Sequence, residues 1–193
     1  MNPWYAKAVV LLASVVMVAI RAPHGQRSRK VPVAKSAKGA LETTLLTIAW
    51  AAFFLPLVWI VSPLFSFADY PLHPVPLVAG IALLALGLFL FHRSHADLGT
   101  NWSLSLEVRE GHTLVRHGLY GLVRHPMYLA LLVYSLGQAL ALPNLVAGPS
   151  YGVAMAILVA LRLGPEERMM REAFGPEWED YAARTKRFVP GVW

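Results

Sequence analysis

The stretch from Pro126 to Leu161, PMYLALLVYSLGQALALPNLVAGPSYGVAMAILVAL, contains no Asp, Glu, Lys or Arg. It is too long for one bilayer crossing, which takes about 20 residues. It is interrupted near its middle by Pro143-Asn144, a turn dipeptide in reverse. The reading is therefore two helices in a tight hairpin, Pro126–Leu142 and Leu145–Leu163. Outward from this stretch, Thr43–Ala68 and Tyr70–His92 are also free of charge. Trp4–Ile20 carries only Lys7, whose long side chain can reach the interface from near a helix end. The expectation is an all-α integral membrane protein of five transmembrane helices, 4–21, 43–65, 75–92, 126–142 and 145–163, in one membrane-embedded domain covering 1–193.

The charges agree with that count. Of 193 residues only 15% are charged, against about 25% in a soluble chain. Lys and Arg number 17 and the net charge is +6. Five spans put Arg21, Arg27, Arg29, Lys30, Lys35 and Lys38 on the same side as Arg93, Arg109, Arg116 and Arg124. The tail residues Arg162, Arg168, Arg171, Arg184, Lys186 and Arg187 fall there too, and only Lys7 does not. Four or six spans would scatter them. By the positive-inside rule the N-terminus is outside and the C-terminus cytosolic. The first span has no basic residues before its apolar run and no small-x-small site after it, so it does not read as a signal peptide. The basic run 21–38 lacks interleaved aromatics and lies between two spans, so it reads as a loop beside anionic headgroups rather than a nucleic-acid site. With no cysteine, disulfides and thiolate metal sites are excluded. Gly148 and Gly152 form a G-x-x-x-G that suggests close helix packing.

Polar residues gather in two segments, 92–128 and 162–190, beyond what crossing a membrane requires. In the first, Arg124 and His125 precede Pro126, so they stand at a helix N-terminus whose backbone N–H groups favour a carboxylate or phosphate. In the second, Pro165 suits a first helical turn and Glu166 and Glu167 suit its positive end. Gly175-Pro176 breaks that helix, and Trp178 and Tyr181 suggest a further amphipathic turn. His92, His95 and Asp97 with His112, His117 and His125 supply one histidine pair at helical spacing, where a histidine-box metal oxidase needs several, so no metal is expected. A sterol reductase of related architecture needs more spans than this chain has.

Taken together, His112-Thr113-Leu114-Val115, Gly118-x-Tyr120 and Arg124-His125-Pro126-x-Tyr128 resemble the core signature of the isoprenylcysteine carboxyl methyltransferases. Arg162-x-x-x-Glu166-Glu167, Phe174-Gly175-x-Glu177-Trp178-x-x-Tyr181 and Pro190 are similar to that family's C-terminal pattern, with Trp178 where Tyr is usual. Related phospholipid methyltransferases and sterol reductases carry variants of Arg-His-Pro-x-Tyr alone, whereas both blocks in order are specific. The resemblance implies S-adenosylmethionine (SAM) as cofactor, with S-adenosylhomocysteine as product, bound by segments 94–128 and 162–193 and capped by a C-terminal helix. It implies cofactor contacts at Glu107, His112, Thr113, Leu114, Val115, Gly118, Tyr120, His125, Pro126, Met127, Tyr128 and Glu166. It also implies catalytic roles for Arg124, Arg162 and Arg184, with Arg162 touching substrate.

Such a site asks for particular chemistry. A substrate carboxylate is already ionised at neutral pH, so methyl transfer to it needs no general base, only positioning and desolvation. Arg orients a carboxylate well, and a glutamate can hold the cofactor's amino group. Arg162 and Glu166 stand one helical turn apart, so one can face substrate and the other cofactor. The chain has no G-x-G-x-x-G, so a soluble-type nucleotide cradle is absent. The acceptor is expected to be an isoprenylcysteine-like carboxylate or another lipophilic molecule entering from the bilayer. N- or S-methylation of a phospholipid amine or small thiol, and a non-enzymatic membrane protein, are the competing readings. The composition looks prokaryotic, which places the protein in a bacterial inner membrane, or in the endoplasmic reticulum if it is eukaryotic. The ending Pro190-Gly191-Val192-Trp193 carries no lipidation motif.

Overall fold

The computed structural model describes residues 1–191 apart from 29, 37, 38 and 110. Arg29 and Lys38 of the basic first loop therefore lie outside the described residues, as do Val192 and Trp193 at the end. The described residues form six α-helices: α1 Trp4–Ser28, α2 Ala40–Val61, α3 Pro74–Leu98, α4 Pro126–Ala141, α5 Ala147–Phe174 and α6 Pro176–Arg184. Helices α1, α2, α3 and α5 are long and apolar enough to cross a membrane, whereas α4 has only 16 residues. Large apolar side chains such as Leu12, Phe54, Val78 and Phe89 point away from the bundle, as expected when lipid is the solvent.

Helix α3 packs most extensively on α4, α2 packs on α5, and α4 on α5. Helix α1 rests on α3 and scarcely touches α2. Backbone proximity sets the α3–α4 contact. A Cβ on Gly80 would lie 2.6 Å from the backbone nitrogen of Ala141, and one on Gly137 would lie 2.6 Å from that of Leu84. A Cβ on Gly87 would lie 2.7 Å from the nitrogen of Tyr134. Close helix approach through small residues maximises dispersion where no hydrophobic drive exists between helices. The Gly148 and Gly152 pair picked out by spacing is less crowded: its nearest neighbours would be 3.2 and 3.3 Å away.

At one end of the bundle Asn144 holds the α4–α5 turn. Its Oδ1 accepts the N–H groups of Val146 (3.0 Å) and Ala147 (2.7 Å), capping α5, while its Nδ2 donates to Asp69 Oδ1 (2.7 Å) and to the carbonyl of Phe65 (2.6 Å). Trp59 Nε1 donates to the same Asp69 oxygen at 2.7 Å. Lys7 donates to the Ile60 carbonyl near the end of α2 at 3.0 Å and lies over the rings of Trp4 and Trp59. Its charge thus meets the negative end of a helix dipole.

Three elements depart from the sequence expectation. Helix α1 continues to Ser28, so Arg21 and Arg27 belong to a helix and not to a loop. Helix α5 runs through Gly164-Pro165 without a break, so Pro165 is interior and Glu166 and Glu167 do not sit in a first turn. Buried Arg162, Leu163, Glu167 and Met169 keep one face of α5 packed across the proline, so the helix continues although one backbone hydrogen bond is lost. Finally, the loops after α1 and α3 form a short antiparallel ribbon, β1 Val33–Ser36 with β2 Glu107–Arg109, which joins Ser36 to Glu107 and Val33 to Arg109.

Candidate active site

At the end of the bundle opposite Asn144, helices α1, α2, α4 and α5, the 101–128 loop and α6 surround a cavity of about 180 Å³. One part is apolar, walled by Met17, Val18, Ala49, Phe53, Met155 and Leu158 of α1, α2 and α5. The other is polar and meets Glu107, His112, Arg124, His125, Arg162 and Glu166.

The loop that supplies the polar wall is pinned at several points. Asn101 Nδ2 donates to Thr113 Oγ1 at 3.2 Å, and Thr113 N–H donates back to Asn101 Oδ1 at 3.3 Å. Gly118 takes φ +59°, a left-handed turn where a Cβ would overlap the Asp97 carboxylate. That carboxylate accepts the N–H of Leu119 at 2.8 Å. A turn of 3-10 helix, Gly118–Gly121, then presents Tyr120, whose carbonyl accepts the Tyr181 hydroxyl at 2.7 Å. Helix α6 is thereby fastened over the loop, and Trp178 and Tyr181 close the cavity from that side.

The tail also closes the N-terminus of α4. The backbone N–H groups of Arg124 and His125 donate to the carbonyls of Lys186 (2.7 Å) and Arg187 (3.1 Å). These two donors, expected to serve an anion, serve the chain itself. Arg124 is equally occupied. Its Nε and Nη2 each meet Glu167 Oε1 at 3.0 Å, and its Nη1 donates to the carbonyls of Ala182, at 2.9 Å, and Thr185. Glu167 also accepts His125 Nε2 at 3.1 Å and Arg187 Nη2 at 2.7 Å. Burial alone would raise the Glu167 pKa, but the hydrogen bonds from His125, Arg187 and Arg124 outweigh it and hold the carboxyl well below its usual range. Glu167 lies on the part of α5 that continues past residue 163, outside the expected span.

Beside this network lies a second one. Arg162 Nη2 donates to the Leu104 carbonyl at 2.9 Å and lies 3.5 Å from Glu42 Oε1, and its Nε lies 3.8 Å from Glu166 Oε2. Glu42, from the first turn of α2, accepts the N–H of Leu106 at 2.6 Å. The Tyr128 hydroxyl donates to Glu166 Oε2. Glu107 is met by the hydroxyls of Ser103 (3.1 Å) and Ser105 (2.7 Å).

Of the residues singled out from sequence, eleven therefore face the cavity: Glu107, His112, Leu114, Val115, Tyr120, Arg124, His125, Met127, Tyr128, Arg162 and Glu166. Thr113, Gly118 and Pro126 shape the wall without lining it. Arg184 stands apart, its side chain 77% exposed and paired with Asp180 at 2.7 Å on its own helix. Sequence reasoning gave no site role to Glu42 or Arg187, and it placed Glu167 in the C-terminal motif and at a helix start without a site role. Signals existed for two of them: an acid at the very start of an apolar span, and consecutive glutamates one turn after Arg162.

The residues fit a cofactor of the expected kind. His112 Nδ1 is buried without a hydrogen-bond partner, and the ring lies edge-on to Phe174 at 5.6 Å. Desolvation lowers the pKa of His112 below 6.5, so it is neutral at neutral pH and able to bond a ligand's polar group. Glu166, half-buried, offers a carboxylate to a ligand cation. No group of three or more His, Asp or Glu able to hold a metal occurs among the described residues.

Fold and cavity define a helical membrane protein whose polar pocket opens onto an apolar slot between helices. The model of the isoprenylcysteine carboxyl methyltransferase (ICMT) family matches residues 78–172 of this chain. It is 30% identical over 115 residues to protein-S-isoprenylcysteine O-methyltransferase B of Arabidopsis thaliana, covering 58% of each chain. It is 33% identical over 111 residues to the cobalt-zinc-cadmium resistance protein CzcN of Cupriavidus metallidurans, covering 57% of this chain and 51% of CzcN. Its fold matches the eukaryotic intramembrane Ras methyltransferase ICMT with a TM-score of 0.52 at 24% identity, over 80% of this chain and 54% of that one. The chain thus spans little more than half the length of these relatives. It is an integral membrane protein.

Proposed function

We propose that the protein is a SAM-dependent methyltransferase that esterifies the carboxylate of an isoprenylcysteine-like acceptor. The observation that carries this reading is the two-part cavity: a polar compartment with His112 Nδ1 unpartnered and Glu166 available, continuous with an apolar slot. His112, Tyr120, His125, Met127, Tyr128 and Glu166 would hold the cofactor, with Glu166 facing its ammonium group. When bound, SAM would supply an electrophilic methyl group for an acceptor oxygen, with its sulfur keeping the electron pair of the broken carbon–sulfur bond. No proton moves in this step, because the acceptor carboxylate is already ionised at neutral pH. Arg162 positions the reacting groups between Glu42 and Glu166. Arg124 acts as a positioning residue through Glu167, holding the tail that roofs the pocket.

In this reading the chain crosses the membrane five times, and the 16-residue α4 with the 142–146 turn makes the fourth crossing. The N-terminus is outside and the cavity end cytosolic, in a bacterial inner membrane. The acceptor arrives laterally, where α1 and α2 scarcely touch. The test is a methyl-transfer assay on purified protein with a farnesylated cysteine, a phospholipid amine and a small thiol. Ester formation on the first supports the proposal, and transfer only to the amine or thiol defeats it. Titration calorimetry with SAM must show binding, and its absence would sink the enzyme reading.

A further inference from the structure

Three arginines line the cavity. Arg124 is neutralised by Glu167, and Arg162 by Glu42 and Glu166. Arg21 differs. Among the described residues no carboxylate pairs with it and no carbonyl accepts from it. Its guanidinium lies over the rings of Trp50 (5.3 Å), Trp102 (5.5 Å) and Phe91 (6.0 Å), from α2, the loop after α3, and α3 itself. Ring stacking holds the face of a guanidinium and leaves its five N–H donors, which lie in the plane, without acceptors. Donors that face the cavity in this way would be satisfied by an anion placed there.

Position strengthens the point. Arg21 is one helical turn from Met17, so both lie on the face of α1 that lines the cavity, at the junction of its apolar and polar compartments. Across from it, Tyr151 of α5 is buried against Phe53 with ring centroids 5.4 Å apart. Its hydroxyl makes no hydrogen bond to a described residue. Arg21 and Tyr151 both line the cavity and are close enough to interact electrostatically. An amphiphile whose tail lies along Met17, Val18, Ala49 and Phe53 would place its polar head there.

We propose that Arg21, assisted by the Tyr151 hydroxyl, is the anion-binding subsite that recognises the carboxylate of the lipophilic acceptor. This rests on the methyltransferase reading above. A charge-assisted, bidentate contact predicts that loss of Arg21 weakens carboxylate binding by about 10- to 100-fold. A mere aromatic brace would affect charged and neutral acceptors alike.

The experiment measures binding of N-acetyl-S-farnesylcysteine and of its methyl ester to the full chain in detergent, together with SAM. The expected result is a wild-type preference for the carboxylate that collapses in Arg21→Gln, is partly kept in Arg21→Lys, and leaves SAM affinity within twofold. An unchanged carboxylate-to-ester ratio in Arg21→Gln overturns the proposal, as does a wild type that binds SAM without preferring the carboxylate. If Arg21→Gln does not fold, Tyr151→Phe decides: a ratio reduced severalfold supports the subsite, and an unaltered ratio rejects it. A wild type that binds no SAM defeats the methyltransferase reading, and the subsite with it.

Discussion

Glu167 and Arg124 meet through a two-point contact, with both Nε and Nη2 of the arginine 3.0 Å from one carboxylate oxygen. Both side chains are about nine-tenths buried, each with 11% exposure. His125 and Arg187 share the same carboxylate, so one residue of α5 ties the start of α4 to the C-terminal tail.

Glu167→Gln is therefore expected to destabilise the protein by about 3 kcal/mol, because it leaves buried cations without their counter-charge. The pH dependence follows from the depressed Glu167 pKa. The carboxyl binds a proton less readily in the folded chain, so its contribution is complete above its ordinary value of 4.5 and is lost as pH falls below it. Thermal unfolding in detergent should show wild-type stability dropping below about pH 4.5 and a flatter profile for Glu167→Gln in that window. Equal slopes would contradict the assignment.

Gly137→Ala pushes a methyl group against the backbone of α3, 2.6 Å from Leu84 nitrogen, where no side chain can rotate away. A cost of about 1–3 kcal/mol is expected. Gly164→Ala is the control: no neighbouring element lies within 4 Å of its Cβ, so the only cost is local, from the ring of Pro165 that follows it. A much larger fall in melting temperature for Gly137→Ala than for Gly164→Ala checks the pair.

His112→Ala removes the unpartnered ring nitrogen from the proposed cofactor compartment. SAM affinity should fall up to about tenfold, the worth of one hydrogen bond, while the melting temperature without cofactor changes little. Calorimetry that finds unaltered affinity would remove His112 from the site.

Arg184→Ala should leave turnover within twofold of wild type. Its guanidinium is paired only with Asp180 in solvent, and such surface pairs contribute little. A large loss of activity would show that α6 rearranges during the reaction.

The Asn144 cap offers a test at the far end. Asn144→Ala removes two bonds to the start of α5 and leaves Asp69 with Trp59 alone. A loss of about 1–3 kcal/mol is expected in thermal unfolding, with SAM affinity unchanged.

Charge-free windows were enough to place the long helices of this chain, because lipid tolerates few charges and demands internally bonded backbone. The two motif blocks were enough to name ten residues that meet at one cavity, because loop 111–128 and the 162–181 region carry chemistry-bearing side chains at recognisable spacing. Helix ends were less legible: α1 and α5 run past the boundaries that Arg21 and Gly164-Pro165 suggested. What only the tertiary structure decided is the pairing of the charges. Glu42 finds Arg162, Glu167 finds Arg124, and Arg21 finds rings and, among the described residues, no acid, although all five look alike as charged residues beside apolar runs. The energy of a buried ion depends on which neighbour reaches it within a few ångströms in a medium of low dielectric. That distance is set by how helices far apart in sequence pack together, and one-dimensional spacing holds no record of it.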